Sequence, residues 1–174
     1  MDANPTLVLR DALPSDRAFL LALYIGTRAD EFAHLGWPVE MERAFMKMQF
    51  EAQRSDYERR HPGARCQIVQ LHRCPIGRLW LAADARSITV LDISLVAELR
   101  GLGIGGECLR RVLRRADAAR LDVELQVVRG NPAQRLYERL GFRRVGAGDV
   151  RVAMVREPAP RTPNTSEEIH DEQA

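Results

Sequence analysis

The stretch LRGLGIGGE, residues 99–107, is the most informative in the chain, and four of the six residues from 101 to 106 are glycine. It lies between an apolar run, residues 87–96 (SITVLDISLV), and a segment with helical periodicity. Glycine lets backbone N–H groups approach an anion without a side chain in the way, and a helix start places partial positive charge beside them. Two registers describe the run. Gly101-x-Gly103-x-x-Gly106 satisfies the dinucleotide-binding pattern, whereas Arg100-x-x-Gly103-x-Gly105 describes a loop for a different phosphorylated cofactor. A tight turn that needs glycine only for its backbone freedom is the plain alternative.

Three features weigh against a dinucleotide. The tetrapeptide of residues 97–100 separates the glycines from the preceding strand, where a dinucleotide fold ends the strand on them. That fold also needs an acid at the end of the next strand, but Asp122 and Glu124 stand at its beginning and Val127-Val128 at its end. The repeated parallel units are missing as well. A phosphate loop of the Gly-Lys-Ser/Thr kind fails because no lysine follows the glycines.

Working outward, residues 65–72, 76–83 and 87–96 read as three strands whose short polar breaks require an antiparallel meander. A short strand is expected at residues 6–10. Pro14-Ser15-Asp16 then starts a helix running to about Thr27. A second helix begins near Pro38, with Met41, Phe45, Met48 and Ala52 as its expected buried stripe. After the glycines, Ile104, Cys108, Leu109, Val112, Leu113 and Ala116 mark the apolar face of another helix, and Arg110, Arg111, Arg114 and Arg115 its solvated face. Residues 122–128 form a strand, Asn131-Pro132 starts a short helix ended by Gly141, and residues 142–146 and 150–156 close the fold. The order β-α-α-β-β-β-α-β-α-β-β predicts an α/β (α+β) fold with a mixed, mostly antiparallel sheet flanked by helices. A single domain is expected over residues 1–156, with residues 157–174, rich in proline and acids, as a disordered tail.

Composition narrows the function. The formal charge of +2 gives no basis for nucleic-acid binding, and no apolar run is long enough to span a membrane, so a cytoplasmic protein is expected. Lys47 is the sole lysine among 26 basic residues, a bias that reads most simply as codon usage. Three cysteines and four scattered histidines form no metal-binding pattern, and no metal is expected.

Two segments in this order, LDISLVAELRGLGIGGECL (residues 91–109) and RGNPAQRLYERLGFRRV (residues 129–145), resemble the GNAT superfamily of N-acetyltransferases. The first is similar to that family's acetyl-CoA pyrophosphate loop, the second to its asparagine-containing turn with a following tyrosine and Gly-Phe ending. The resemblance implies a GNAT-like fold and acetyl transfer from acetyl-CoA to a primary amine of a small molecule or peptide by direct attack. It implies cofactor contacts from Leu95 and Val96 on the splayed strand, from Arg100, Gly101, Leu102, Gly103, Ile104, Gly105 and Gly106 in the loop, and from Asn131. Tyr137 matches the family's tyrosine and becomes the general acid that protonates the departing thiolate; its other reading is a core aromatic beside Leu136 and Leu140. Several family members carry a glutamate five residues before the asparagine. Gln126 stands there and cannot take a proton, which leaves Glu124 or Asp92 as the base, or water. Glu31 and Trp37, in the segment between the first two helices, are the acceptor-binding candidates, the acid for a cationic amine and the indole for stacking on it. A CoA-binding module without catalysis is the alternative motivated by Gln126, with an NAD enzyme behind it. A homodimer through a sheet edge or helix face is compatible with the sequence.

Overall fold

The computed structural model describes residues 7–160. Seven strands form one sheet in the order β1-β2-β3-β4-β5-β7-β6. They are β1 (Leu7–Asp11), β2 (Arg65–Leu71), β3 (Cys74–Ala83), β4 (Ser87–Leu95), β5 (Asp122–Val128), β6 (Arg143–Ala147) and β7 (Arg151–Arg156). Every neighbouring pair is antiparallel except β4 and β5, which are parallel and joined by a crossover helix. The chain makes this single parallel step because helix α4 (Ile104–Ala119) intervenes; the other strand-to-strand links around β2–β4 are too short to cross over.

Helices α4 and α5 (Ala133–Arg139) cover one face of the sheet. Cys108, Leu109, Val112, Leu113 and Ala116 of α4 and Tyr137 of α5 pack there with Leu79, Val90, Val123, Leu125, Val127 and Met154 in one continuous core. Alternation along β5 is strict: Val123, Leu125 and Val127 are buried, and Glu124, Gln126 and Val128 are exposed on the other face. Over β2–β4 that second face is covered by α1 (Arg17–Gly26) and α3 (Val39–Arg60), whose Tyr24, Met46 and Phe50 form a smaller core. A one-turn helix α2 (Ala29–Phe32), which the periodicity does not predict, lies between them.

Two expectations need correction, and the helix start at Pro14-Ser15-Asp16 becomes specific. The buried stripe of α3 is Met46 and Phe50, with Phe45, Gln49, Gln53 and Tyr57 half-buried, whereas Met41 and Met48 are 55% and 57% exposed. Hydrophobic spacing misplaces this face because it includes two glutamines, one of which accepts a hydrogen bond from a buried arginine. At the start of α1 the oxygen that binds a free N–H belongs to Asp16, which accepts from Leu13 N at 2.7 Å and from both terminal nitrogens of Arg10. These donors hold the Asp16 carboxyl down at about 2, the Arg10 guanidinium contributing most. Residues 157–160 are not free of the fold: Ala159 N–H donates to Asp117 at 2.8 Å, and Arg143 pairs with Glu157. The remainder of the expected tail, residues 161–174, lies outside the described residues, as does Thr6 of the expected first strand.

Candidate active site

The parallel pair is incomplete. Strands β4 and β5 are in register from Ser87 and Asp122 to Val90 and Leu125, and then they part, although β4 continues to Leu95 and β5 to Val128. The break coincides with a bulge in β4. Trp80 pairs with Asp92 and Leu81 with Val90, so Leu91 is the extra residue, and its carbonyl accepts from the Tyr57 hydroxyl at 3.3 Å. A bulge increases local twist and turns the rest of a strand away from its neighbour. The result is an opening between two strand ends with backbone groups along its sides. Behind it β3 approaches β4 closely: a Cβ at Gly77 would lie 2.4 Å from the Ser94 carbonyl oxygen.

Backbone alternation decides which groups face the opening. Val96 N–H donates to Ile76 O at 2.9 Å, toward β3, so it is spent and Val96 offers no donor to a ligand between the strands. Leu95 and Ile93 point the other way. Ile93 was missed in the sequence because only a resolved register separates inward from outward backbone groups. The Leu95 carbonyl accepts from Arg100 Nε at 3.0 Å, so Arg100 ties the end of β4 to the glycine turn and is only in part available as a charged fork.

The turn leads directly into α4. Gly103 caps the helix with φ 81°, a left-handed conformation that disfavours any side chain, and a Cβ there would meet open space. Glu107 N–H closes the first turn on Gly103 O at 3.0 Å. The N–H groups of Ile104, Gly105 and Gly106 precede that bond and have no intrahelical acceptor, and no side chain caps them. This is an anion-binding geometry at the start of a 16-residue helix. Glu107 does not oppose it freely, because its carboxylate is engaged by Arg110, Arg111 and Arg114 and held below its usual range.

Tyr137 is 8% exposed and packs edge-on against Phe142 with centroids 5.8 Å apart. Its hydroxyl makes no hydrogen bond among the described residues, and no fully buried side-chain oxygen or nitrogen there lacks a partner, so the phenol end retains access to the outside. Burial pushes it up to about 12, and the negative charge of Asp92 adds to the rise. Asp92 is thus within electrostatic reach of Tyr137. Its Oδ2 accepts from Arg78 Nε at 2.8 Å and from Ser94 Oγ at 2.9 Å. Arg78, 1% exposed, also donates to Gln53 Oε1 at 2.8 Å. Asp92 therefore balances a buried guanidinium. Glu124 is exposed beside the opening on the face away from α4, paired in register with Thr89 and Val155.

The remaining candidates are placed as follows. Asn131 Oδ1 accepts from Ala133 N–H at 2.8 Å, so its carbonyl end serves as a helix cap. The Trp37 ring is taken up by Phe32 and Phe45, at 6.2 and 5.2 Å, and Glu31 is exposed. Among the described residues no cluster of three or more histidine, cysteine or acidic side chains is placed to hold a metal, and no helix is long and apolar enough to cross a membrane. Burial pushes the Cys66 and Cys108 thiols up to about 11. A cavity of about 630 Å³ bounded by Leu20, Phe50, Cys66 and Trp80 lies between α1, α3 and β2–β3, and Gln53 and Arg78 also line it.

A mixed sheet parted at its one parallel junction, with a glycine-capped helix starting at the gap, is the GNAT-like architecture that the sequence resemblance implied. The model of the acetyltransferase (GNAT) family matches residues 29–142, and the chain belongs to that family. Among solved structures it is similar to the PaiA N-acetyltransferase of Thermoplasma acidophilum in complex with coenzyme A, at 14% identity and TM-score 0.66 over 87% of this chain and 99% of that one. It is also similar to an acetyltransferase of Thermus thermophilus, at 23% identity and TM-score 0.64 over 87% and 97%. A third match, described as a histone acetyltransferase and related acetyltransferase from Corynebacterium glutamicum, has 19% identity and TM-score 0.61 over 90% and 99%. At these identities the likeness is one of fold. No curated protein sequence matches the chain.

Proposed function

We propose that the protein is an acetyl-CoA-dependent N-acetyltransferase that acetylates a primary amine of a small molecule or peptide by direct attack. The observation that carries this reading is the coincidence of three features: the parting of β4 from β5, the uncapped N-terminus of α4 and the open phenol of Tyr137. The PaiA structure was obtained with coenzyme A, which suits the same fold.

The residues fit a thioester cosubstrate. The N–H groups from Gly101 to Gly106 suit a pyrophosphate dianion, since the glycines that the positive φ at 101 and 103 favours put no side chain in its way. Ile93 and Leu95 offer backbone groups for pairing with an extended amide-bearing arm, a ligand acting as the missing strand. Acetyl-CoA supplies the activated acyl carbon. The acceptor must present a neutral amine, whose lone pair forms the new C–N bond as the C–S bond breaks. Tyr137, protonated at neutral pH and raised further by burial, gives its proton to the sulfur. The proton lost by the amine passes to Glu124, directly or through water, because Gln126 cannot accept it. Asp92 is a positioning residue that holds Arg78.

Acetyl-CoA turnover against amino acids, polyamines, aminoglycosides and peptide N-termini tests the reading, with thermal shifts by acetyl-CoA, CoA and NAD alongside. Stabilisation by acetyl-CoA together with CoA release in the presence of one acceptor class is expected. Stabilisation by NAD alone overturns the reading.

A further inference from the structure

We infer that the cavity between α1, α3 and β2–β3 is a binding site for a small carboxylate with an apolar body, a ligand other than the amine acceptor. The inference stands apart from acetyl transfer. None of the residues lining the cavity belongs to β4, β5, α4 or α5, the elements that frame the opening.

Strand β3 supplies the floor. Arg78 and Trp80 are two residues apart on it, 1% and 7% exposed, and both line the cavity. Phe50 and Gln53, three residues apart on α3, line it from the facing side. The two rings are fixed before any ligand arrives: Trp80 stands edge-on against Tyr57 at 5.5 Å, and Phe50 edge-on against Tyr24 at 5.6 Å. Leu13, Pro14 and Leu20 complete an apolar wall. The volume of about 630 Å³ falls within the span of about 300–1,000 Å³ usual for small-molecule sites.

The polar groups left over in this cavity are donors. Arg78 donates from Nε to Asp92 and from Nη2 to Gln53 Oε1, each at 2.8 Å, and its Nη1 makes no hydrogen bond among the described residues. A guanidinium only donates, so Gln53 must turn its carbonyl toward Arg78, which leaves the Gln53 Nε2 donor uncommitted. The Trp80 indole N–H likewise has no acceptor among the described residues. No fully buried side-chain nitrogen there lacks a partner, so these three groups reach open space, and their side chains line the same cavity. A wall of spare donors suits a ligand group that only accepts, and an ammonium would find no partner on it. Charge points the same way. Arg17, Arg54, Arg65 and Arg78 line the cavity against two acids, Asp11 and Glu58, and Arg65 and Arg54 hold those at 3.6 and 2.9 Å. The excess of positive charge favours an anion, and the apolar wall favours an organic one.

Calorimetric titration of the full chain with matched carboxylates and amides tests this: phenylacetate against phenylacetamide, indole-3-acetate against indole-3-acetamide, and 4-methylpentanoate against its amide, with inorganic phosphate alongside. At least one carboxylate is expected to bind with Kd below about 1 mM and about tenfold or more tightly than its amide. Gln53→Glu keeps the acceptor for Arg78 but replaces the spare donor with a negative charge, and Trp80→Phe removes the indole N–H while keeping a ring. Each is expected to weaken that carboxylate about tenfold, with circular dichroism showing the fold retained. Leu20→Trp fills the cavity and abolishes binding, whereas Arg43→Gln, on the exposed side of α3, leaves it unchanged. Equal affinity for carboxylate and amide overturns the inference, as does phosphate binding as tightly as the carboxylates. So does binding unmoved by Gln53→Glu and Trp80→Phe, or no binding of any carboxylate at about 10 mM. None of these results bears on acetyl-CoA turnover, which is measured separately.

Discussion

The two sides of the opening use different chemistry. On the α4 side the working groups are backbone: the N–H groups of the glycine turn and the unpaired edge from Ile93 to Leu95. On the α1–α3 side the candidates are side chains fixed by other side chains, in the chain Asp92, Arg78 and Tyr24. A backbone site depends on side chains being absent, so one added atom damages it. A side-chain site depends on partners being present, so it degrades by degrees as they are removed.

The largest expected effect breaks the backbone side. Gly103→Asp introduces a side chain at φ 81° and a negative charge at the start of α4, opposite a pyrophosphate. Acetyl-CoA binding measured by calorimetry is expected to weaken by more than about a hundredfold, with the circular dichroism spectrum of the fold retained. Binding within tenfold of the unaltered protein would move the anion away from this turn.

Tyr137→Phe removes one oxygen from a residue whose ring packing against Phe142 persists. Turnover is expected to fall on the order of a hundredfold, with acetyl-CoA affinity unchanged. The pH dependence has a definite sign. A phenol raised to about 12 remains protonated well into the alkaline range, so no loss of rate below about pH 11 comes from its ionisation. A descending limb near pH 9 that disappears in Tyr137→Phe would contradict that environment.

The same contrast explains what was legible in the sequence. Glycine spacing is visible in one dimension, so the turn, the following helix and the Asn131–Tyr137 segment could be aligned with a family pattern. The antiparallel β2–β3–β4 meander followed from short links that forbid crossovers. Arg78 was invisible because the chain has arginine almost everywhere it is basic, and only three-dimensional pairing with Asp92 separates this buried guanidinium from the exposed ones. Trp37 and Glu31 attracted attention as residue types, yet the indole is occupied by Phe32 and Phe45. The stripe of α3 went wrong for a related reason. Gln53 faces inward to accept from Arg78, and no hydrophobicity count marks a glutamine as buried.

Asp92 is where the two sides meet, and its variant gives the smallest of these effects on turnover. Both donors, Arg78 Nε and Ser94 Oγ, converge on one carboxylate oxygen, and the aspartate is the charge that balances an arginine only 1% exposed. Asp92→Asn keeps an acceptor atom but leaves that guanidinium uncompensated. Removal of one partner from a buried pair costs about 3–5 kcal/mol, and retention of the hydrogen bond together with the partial exposure of Asp92 reduces this to about 2 kcal/mol. Urea denaturation is expected to register that loss, while kcat measured well below the unfolding transition falls less than about fivefold. If Asp92 were the base, the stability loss would stand and turnover would also fall as far as in Tyr137→Phe, because the amide cannot take a proton. Turnover in this variant therefore decides whether this carboxylate handles the proton or only holds the buried arginine in place.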